Sequence, residues 1–69
     1  MANNWEKIYR SDKLYRVEIV ASFLKDQEIP TVILDKKDRA YQFGYYEIHV
    51  QRENVLHAIK LVEDNISFE

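Results

Sequence analysis

The spacing of apolar residues predicts two helices. The first is predicted over residues 12–28, where apolar side chains recur every three or four positions, as on one side of a helix: Leu14, Val17, Val20, Ala21 and Leu24. Ser11 or Asp12 offers a side-chain oxygen to cap its start, and Ile29-Pro30 ends it because proline disfavours helix in the residue before it. The second helix is predicted over residues 52–66, with a stripe formed by Val55, Ala58, Ile59, Val62 and Ile66.

Three short stretches predict β-strands. Residues 5–10 (WEKIYR) are aromatic and β-prone, and residues 31–35 (TVILD) are rich in β-branched side chains. Residues 45–51 (YYEIHVQ) alternate between two faces, as in a half-buried strand. Residues 36–44 are polar, end in the only glycine of the chain and predict a loop, and residues 1–4 predict a tail.

The resulting order of elements, βαββα, predicts an α+β fold in a single domain of residues 1–69. A strand-helix-strand unit crosses over with a right-handed turn and leaves room for a third strand between the first two. The third strand fills that gap and is antiparallel to both neighbours, so the expected spatial order is 1-3-2 with both helices on one face. This is a ferredoxin-like split unit without a clear fourth strand.

Several motifs span nearly the whole chain: YRS at 9–11, LYRVEIV at 14–20, FL at 23–24, IPTV at 29–32 and VQRE at 50–53. This pattern resembles a family of short prokaryotic signal-transducing proteins, formerly catalogued as a domain of unknown function. That family usually has glycine before the Ile-Pro pair, where this chain has Glu28. The resemblance implies a bacterial protein with a compact sensor-like fold, loosely similar to the nitrogen-regulatory signalling proteins. It implies no enzyme activity, no established ligand and no catalytic residues.

The composition narrows the possible functions. Ten basic and twelve acidic residues give a formal net charge of -2, which does not favour a nucleic-acid backbone. The chain has no cysteines, and its two histidines cannot form a zinc site without carboxylates, so we expect neither a metal nor another cofactor. No apolar run approaches the length of a membrane span, and the N-terminus lacks the features of a signal peptide. We therefore expect a cytoplasmic protein.

The sheet face opposite the helices is the first candidate site. We expect Ile8, Val32 and Leu34 to face the helices, as do the alternate residues of the third strand (Tyr46, Ile48 and Val50). The opposite face then carries an apolar, aromatic patch with Lys7 and Glu47 at its rim. We predict that this patch binds a partner through Trp5, Tyr9, Ile33, Tyr45, Glu47 and His49. Exposed aromatic clusters usually mark an interaction surface, here for a homodimer or another protein. Two alternatives remain: a plain amphipathic sheet partly covered by the tails or the loop, and a platform for a small molecule or base.

Two further surfaces remain open. Tyr15, Ile19 and Phe23 form a second ridge on the first helix, which either packs against the second helix or contacts another chain. With no clear fourth strand, we expect the first strand to be an unpaired edge. Either two copies pair there, or the tail from Ile66 to Phe68 covers it.

The start of the first helix is the alternative ligand site. An anionic metabolite would bind there through the helix-terminal amides and through Arg10, Ser11, Asp12, Lys13 and Arg16. Asp12 counts against this site because its carboxylate competes for the same donors. We do not expect catalysis, since Ser11 is better explained as a cap and both His49 and His57 are expected to be exposed.

Overall fold

The computed structural model describes residues 4–38, 40–41 and 43–67. Along the chain lie strand β1 (Trp5–Ser11), helix α1 (Leu14–Asp26), strand β2 (Thr31–Asp35), strand β3 (Tyr46–Gln51), a 3-10 turn (Arg52–Asn54) and helix α2 (Val55–Asn65). The order βαββα is confirmed. The second helix was predicted to begin at residue 52, but its first three residues form the tighter 3-10 turn.

The three strands form one antiparallel sheet in the order β1-β3-β2, and both helices pack on one side of it. The predicted topology is therefore correct. In the described part of the chain, β3 has a neighbour on each side, whereas β1 and β2 each have one open edge.

The core lies between the helices and one face of the sheet. Its buried side chains come from both helices, from β3 and from the turn after α1: Val17, Val20, Ala21, Leu24, Ile29, Ile48, Val50 and Ala58. Four of the five residues predicted for the buried face of α1 are in this core. The fifth, Leu14, is exposed because it lies in the first turn, at the margin of the sheet.

The start of α1 differs from the prediction. Lys13 is the N-cap residue and makes no side-chain cap bond. The Ser11 hydroxyl instead accepts a hydrogen bond from the backbone N–H of Lys13 (3.1 Å), and Asp12 pairs with the Lys13 ammonium at 3.9 Å. Ser11 is still part of β1, where it pairs with Tyr46, so the helix begins later than predicted.

The end of α1 has the geometry of a Schellman motif. The N–H of Ile29 donates to the carbonyl of Leu24 (3.0 Å), and the N–H of Glu28 donates to that of Lys25 (2.9 Å). Glu28 has a φ of 64°, the left-handed conformation that glycine adopts most easily. The helix thus ends without a left-handed glycine, and Glu28 takes up that conformation instead.

The predicted loop 36–44 is partly ordered as an extension of the β2–β3 hairpin. The N–H of Lys36 donates to the carbonyl of Tyr45 (2.9 Å), and the N–H of Asp38 donates to that of Phe43 (2.7 Å). These two pairs continue the register of β2 and β3. Arg39 and Gln42, at the tip, lie outside the described residues, as do residues 1–3 of the predicted tail.

Candidate functional site

The open face, as we define it, is the side of the sheet opposite both helices. Directly paired residues on neighbouring strands share a face, so the register identifies its members. They are Trp5, Lys7 and Arg10 of β1, Val32 and Leu34 of β2, and Glu47, His49 and Gln51 of β3, with Tyr45 just before β3. His49 lies between Lys7 and Val32, and Glu47 lies between Arg10 and Leu34.

The predicted orientation of β2 was wrong. Ile33 was expected on the open face, but it is paired with the fully buried Ile48 and packs against the core. Val32 and Leu34, which were expected in the core, lie on the open face with 38% and 36% of their surface exposed. The strand has three consecutive apolar residues, and such a run contains no alternation from which the buried face can be inferred.

The predicted orientation of Tyr9 was also wrong. The register between β1 and β3 shifts between Lys7 and Tyr9, which marks a β-bulge at Ile8. Ile8 and Tyr9 consequently both pack against the core, and Arg10 takes the position on the open face. Ile8 faces the core as predicted, but an extra residue in the strand reverses the alternation beyond it, so a prediction based on strict alternation fails from Tyr9 onwards.

A cavity of about 350 Å³ occupies the apolar part of the open face. Trp5 of β1 forms one side, Val32 and Leu34 of β2 form the other, and His49 of the central strand lies between them. The predicted patch thus exists with different members, because Val32 and Leu34 replace Tyr9 and Ile33. The cavity offers apolar surface from both edge strands around one imidazole ring.

A shielded hydrogen bond between Glu47 and His49 lies at the centre of the same face. Glu47 Oε1 is 3.0 Å from His49 Nε2, and Glu47 has only 8% of its surface exposed. The hydrogen bond from His49 lowers the pKa of Glu47, and the positive charges of Lys36 and Lys7 act in the same direction, whereas desolvation opposes them. An ionised carboxylate can only accept hydrogen bonds, so His49 Nε2 carries the shared proton.

The prediction that His49 is exposed was wrong, as was the position of Glu47 at the rim. Both side chains are shielded because β3 is the central strand and residues of β1 and β2 flank it on both sides. The shielding of Glu47 and His49 could have been predicted from the strand order 1-3-2, because neighbouring strands cover the residues of a central strand even on a face without helices. His57, by contrast, is exposed as expected.

Cationic side chains surround the polar part of the open face. Lys7 Nζ lies 3.8 Å from Glu47 Oε2, and the Arg10 guanidinium lies over the Tyr45 ring at 4.6 Å from its centroid. A guanidinium over an aromatic ring gains electrostatic attraction and keeps the ring in place. The open face therefore combines an apolar cavity, a neutralised carboxylate and a rim of basic groups.

The residues of the alternative anion site are only partly brought together. Arg10 belongs to the open face, where it covers Tyr45. Ser11, Asp12 and Lys13 contact one another at the start of α1. Arg16 Nε donates to the Tyr15 hydroxyl at 3.4 Å, and this hydrogen bond raises the pKa of Arg16.

The second ridge of α1 is not packed against α2 along its length. Tyr15 and Ile19 have about half of their surface exposed (54% and 49%), whereas Phe23 packs against the core. Together with polar neighbours they line an open groove of about 480 Å³. Ile66, at the start of the predicted C-terminal cover, also packs against the core, and Phe68 lies outside the described residues.

Comparisons with known proteins returned no match to a family, to a curated protein or to a solved structure. Within the described ranges, no group of three or more His, Asp or Glu side chains is arranged to hold a metal ion. No helix in those ranges has the length and apolar character needed to cross a bilayer.

Proposed function

We propose that this protein is a small, non-catalytic regulatory module of the cytoplasm that recognises another protein, or a second copy of itself, through the open face. The observation that carries the proposal is the apolar cavity between Trp5 and the exposed side chains of Val32 and Leu34, opposite both helices. An apolar centre within a charged rim is the usual anatomy of a protein interface. The resemblance to signal-transducing proteins supports the regulatory part of the proposal.

The hydrogen bond between Glu47 and His49 favours recognition over catalysis. Glu47 already accepts the hydrogen bond of His49 Nε2, and Lys7 balances its second oxygen. A carboxylate held in its ionised form by these contacts has a lowered pKa, whereas a general acid or base works best with a pKa near the working pH. The Glu47–His49 hydrogen bond is better suited to keep the side chains at the centre of a binding surface in one conformation.

Site-specific photocrosslinking in cells tests the proposal. A benzophenone amino acid at Trp5 samples the open face, and the same group at Leu56, which is 83% exposed on α2, is the control. We expect specific products from position 5 and few from position 56. A captured protein counts as a partner only when the purified proteins bind and Trp5→Ala with Tyr45→Ala weakens binding at least ten-fold, roughly the loss of an interface hot spot. Equal products from both positions would contradict the proposal.

The alternative function, an anionic-metabolite sensor at the start of α1, has one supporting observation: no side chain caps the first turn of that helix. This leaves the amides of Leu14 and Tyr15 without a side-chain cap, whereas the N–H of Arg16 donates to the carbonyl of Lys13 at 3.1 Å. A thermal-shift titration with inorganic phosphate and nucleotides tests this alternative. Stabilisation that Lys13→Ala and Arg16→Ala abolish would favour it over the open face.

A further inference from the structure

The open face is more basic than the chain as a whole. Its strand residues and the first residue after β2 include three cationic side chains, from Lys7, Arg10 and Lys36, and one carboxylate, from Glu47. Lys36 belongs to this face because its N–H bonds to the carbonyl of Tyr45, which continues the alternation of β2. The whole chain, by contrast, has ten basic and twelve acidic residues. Positive charge is thus concentrated on the face that carries the apolar cavity.

The carboxylate at the centre of this face is already neutralised. Glu47 Oε1 lies 3.0 Å from His49 Nε2, and Glu47 Oε2 lies 3.8 Å from Lys7 Nζ. The hydrogen bond from His49 lowers the pKa of Glu47, and the charges of Lys36 and Lys7 lower it further, so both lysines lie near the carboxylate. Because Glu47 is shielded from solvent, a partner meets the cations of the rim before it meets this carboxylate.

Two of the cations are exposed and can receive an anion. Among the described residues, no carboxylate forms an ion pair with Arg10 or with Lys36. The Arg10 guanidinium lies over the Tyr45 ring at 4.6 Å from its centroid. This contact fixes the position of the guanidinium and leaves its N–H donors for a carboxylate, which it can bind in a bidentate pair. Arg10 is therefore held in place as a carboxylate receptor.

Two acidic residues follow the strands at this end of the sheet, and both are engaged locally. Asp12, after β1, pairs with the Lys13 ammonium at 3.9 Å. Asp38, further along the hairpin, accepts the N–H of Ala40 at 3.0 Å from Oδ1. Neither residue forms an ion pair with the cations of the open face, so the basic character of the rim is retained.

We infer that the open face binds an acidic segment of another protein, with an apolar side chain of that segment in the cavity and its carboxylates at Arg10 and Lys36. This is the site of the proposed function, on which the inference rests, and what is added is the chemistry of the partner. Arg10 and Lys36 lie beside Glu47 and Tyr45, two and four residues along β3 from His49 in the cavity. These steps span about 7 and 13 Å, so the acidic residues of an extended segment lie two to four positions from the apolar one.

Two other kinds of partner fit this surface less well. Two copies that met through their open faces would place one basic rim against the other, and like charges across an interface oppose association. A nucleic-acid strand has the right charge, but the side chains of Val32 and Leu34 offer no hydrogen bonds to the edges of a base. The Tyr45 ring, on which a base would stack, is already covered by Arg10.

Selection of peptides by phage display tests the inference. Random peptides of about twelve residues, long enough to extend along the whole face, are enriched on the immobilised protein. We expect the enriched sequences to combine an apolar residue with acidic residues two to four positions away. Selection on Arg10→Gln with Lys36→Gln should lose the preference for acidic residues. The control, Lys25→Gln with Lys60→Gln, removes the same charge from the two helices and should retain it.

An enriched peptide, synthesised with a fluorescent label, then gives dissociation constants by fluorescence anisotropy. Arg10→Gln with Lys36→Gln should weaken binding about ten-fold, the loss expected for two exposed ion pairs. Trp5→Ala should also weaken binding, whereas Lys25→Gln with Lys60→Gln should leave it unchanged. Replacing the acidic residues of the peptide by their amides is the reciprocal change. It should weaken binding to the wild type by the same factor and requires no variant of the protein to fold.

The outcomes separate this inference from the proposed function. Enrichment of neutral or basic peptides that still require Trp5 would overturn the inference and leave the proposed function standing. A selection without enriched peptides would also overturn it, while crosslinking from position 5 reports separately on the proposed function. A uridine oligonucleotide that binds this face more tightly than the peptide, or a dimer of the protein that the peptide dissociates, would overturn it as well.

Discussion

Glu47 and His49 lie two residues apart on the central strand, on the same face, with Glu47 Oε1 3.0 Å from His49 Nε2. Residues i and i+2 of a strand share a face, so the sequence E-x-H places the two side chains side by side. Neighbouring strands then shield both of them from water. A carboxylate on a face without helices is thus held ionised by its neighbours on the sheet.

This relationship predicts a loss of stability in acid. A carboxylate whose pKa is lowered by folding stabilises the folded state above its unfolded pKa, about 4.3, and this contribution is lost as the pH falls through the folded value. We expect the difference in unfolding free energy between the wild type and Glu47→Gln to be fully present above about pH 5 and to shrink below about pH 4. Urea titrations at several pH values measure it. The exposed Glu63→Gln should show no such trend, and a difference that is constant with pH would contradict the prediction.

The orientation of β2 predicts that alanine substitutions at two adjacent residues, Ile33 and Val32, lower the unfolding free energy by different amounts. Ile33 packs against the core opposite Ile48, whereas Val32 lies on the open face. Ile33→Ala should lower the unfolding free energy by about 2–3 kcal/mol, because it leaves a cavity in the core. Val32→Ala should cost less than about 1 kcal/mol, since much of its side chain is already in water. Chemical denaturation measures both changes, and the reverse ranking would support the orientation of β2 that was predicted from sequence.

Much of the fold could be predicted from the sequence because helical periodicity and the rules for crossover connections depend only on local patterns. Val17, Val20, Ala21 and Leu24 are spaced as on one helix face, and they are buried. Which side of a strand is buried was harder to predict. TVILD contains no alternation, so the side that faces the core is set by its partner Ile48, which is distant in sequence.

The members of the candidate site were only partly predictable for the same reason. Trp5 and Tyr45 were placed correctly on the open face, whereas Tyr9 was not, because the bulge at Ile8 depends on pairing between strands. Glu47 and His49 were on the predicted face, but their burial follows from the two strands that flank β3. Side-chain pairing across strands depends on register, and register is not a property of a single segment.

Gly44, the only glycine of the chain, is expected to stabilise the β2–β3 hairpin. Gly44 has a φ of 117°, and a Cβ at this position would lie 2.6 Å from the carbonyl oxygen of Lys36. Gly44→Ala should lower the unfolding free energy by roughly 1–3 kcal/mol through backbone strain and this clash. Thermal unfolding measures the change, and Ser22→Ala on the exposed side of α1 is a control with little expected effect. If Gly44→Ala had the same melting temperature as the wild type, the β2–β3 hairpin would have to adopt another conformation.

The end of α1 predicts opposite effects for one substitution at two positions. Glu28 has a left-handed φ of 64° within the Schellman motif, where glycine carries no steric cost. Glu28→Gly should therefore stabilise the protein by about 1 kcal/mol. Glu18 is exposed in the middle of the same helix, where glycine is unfavourable, so Glu18→Gly should destabilise by about the same amount. Chemical denaturation of both variants measures the two changes in unfolding free energy. A loss of stability in both variants would contradict the left-handed conformation of Glu28.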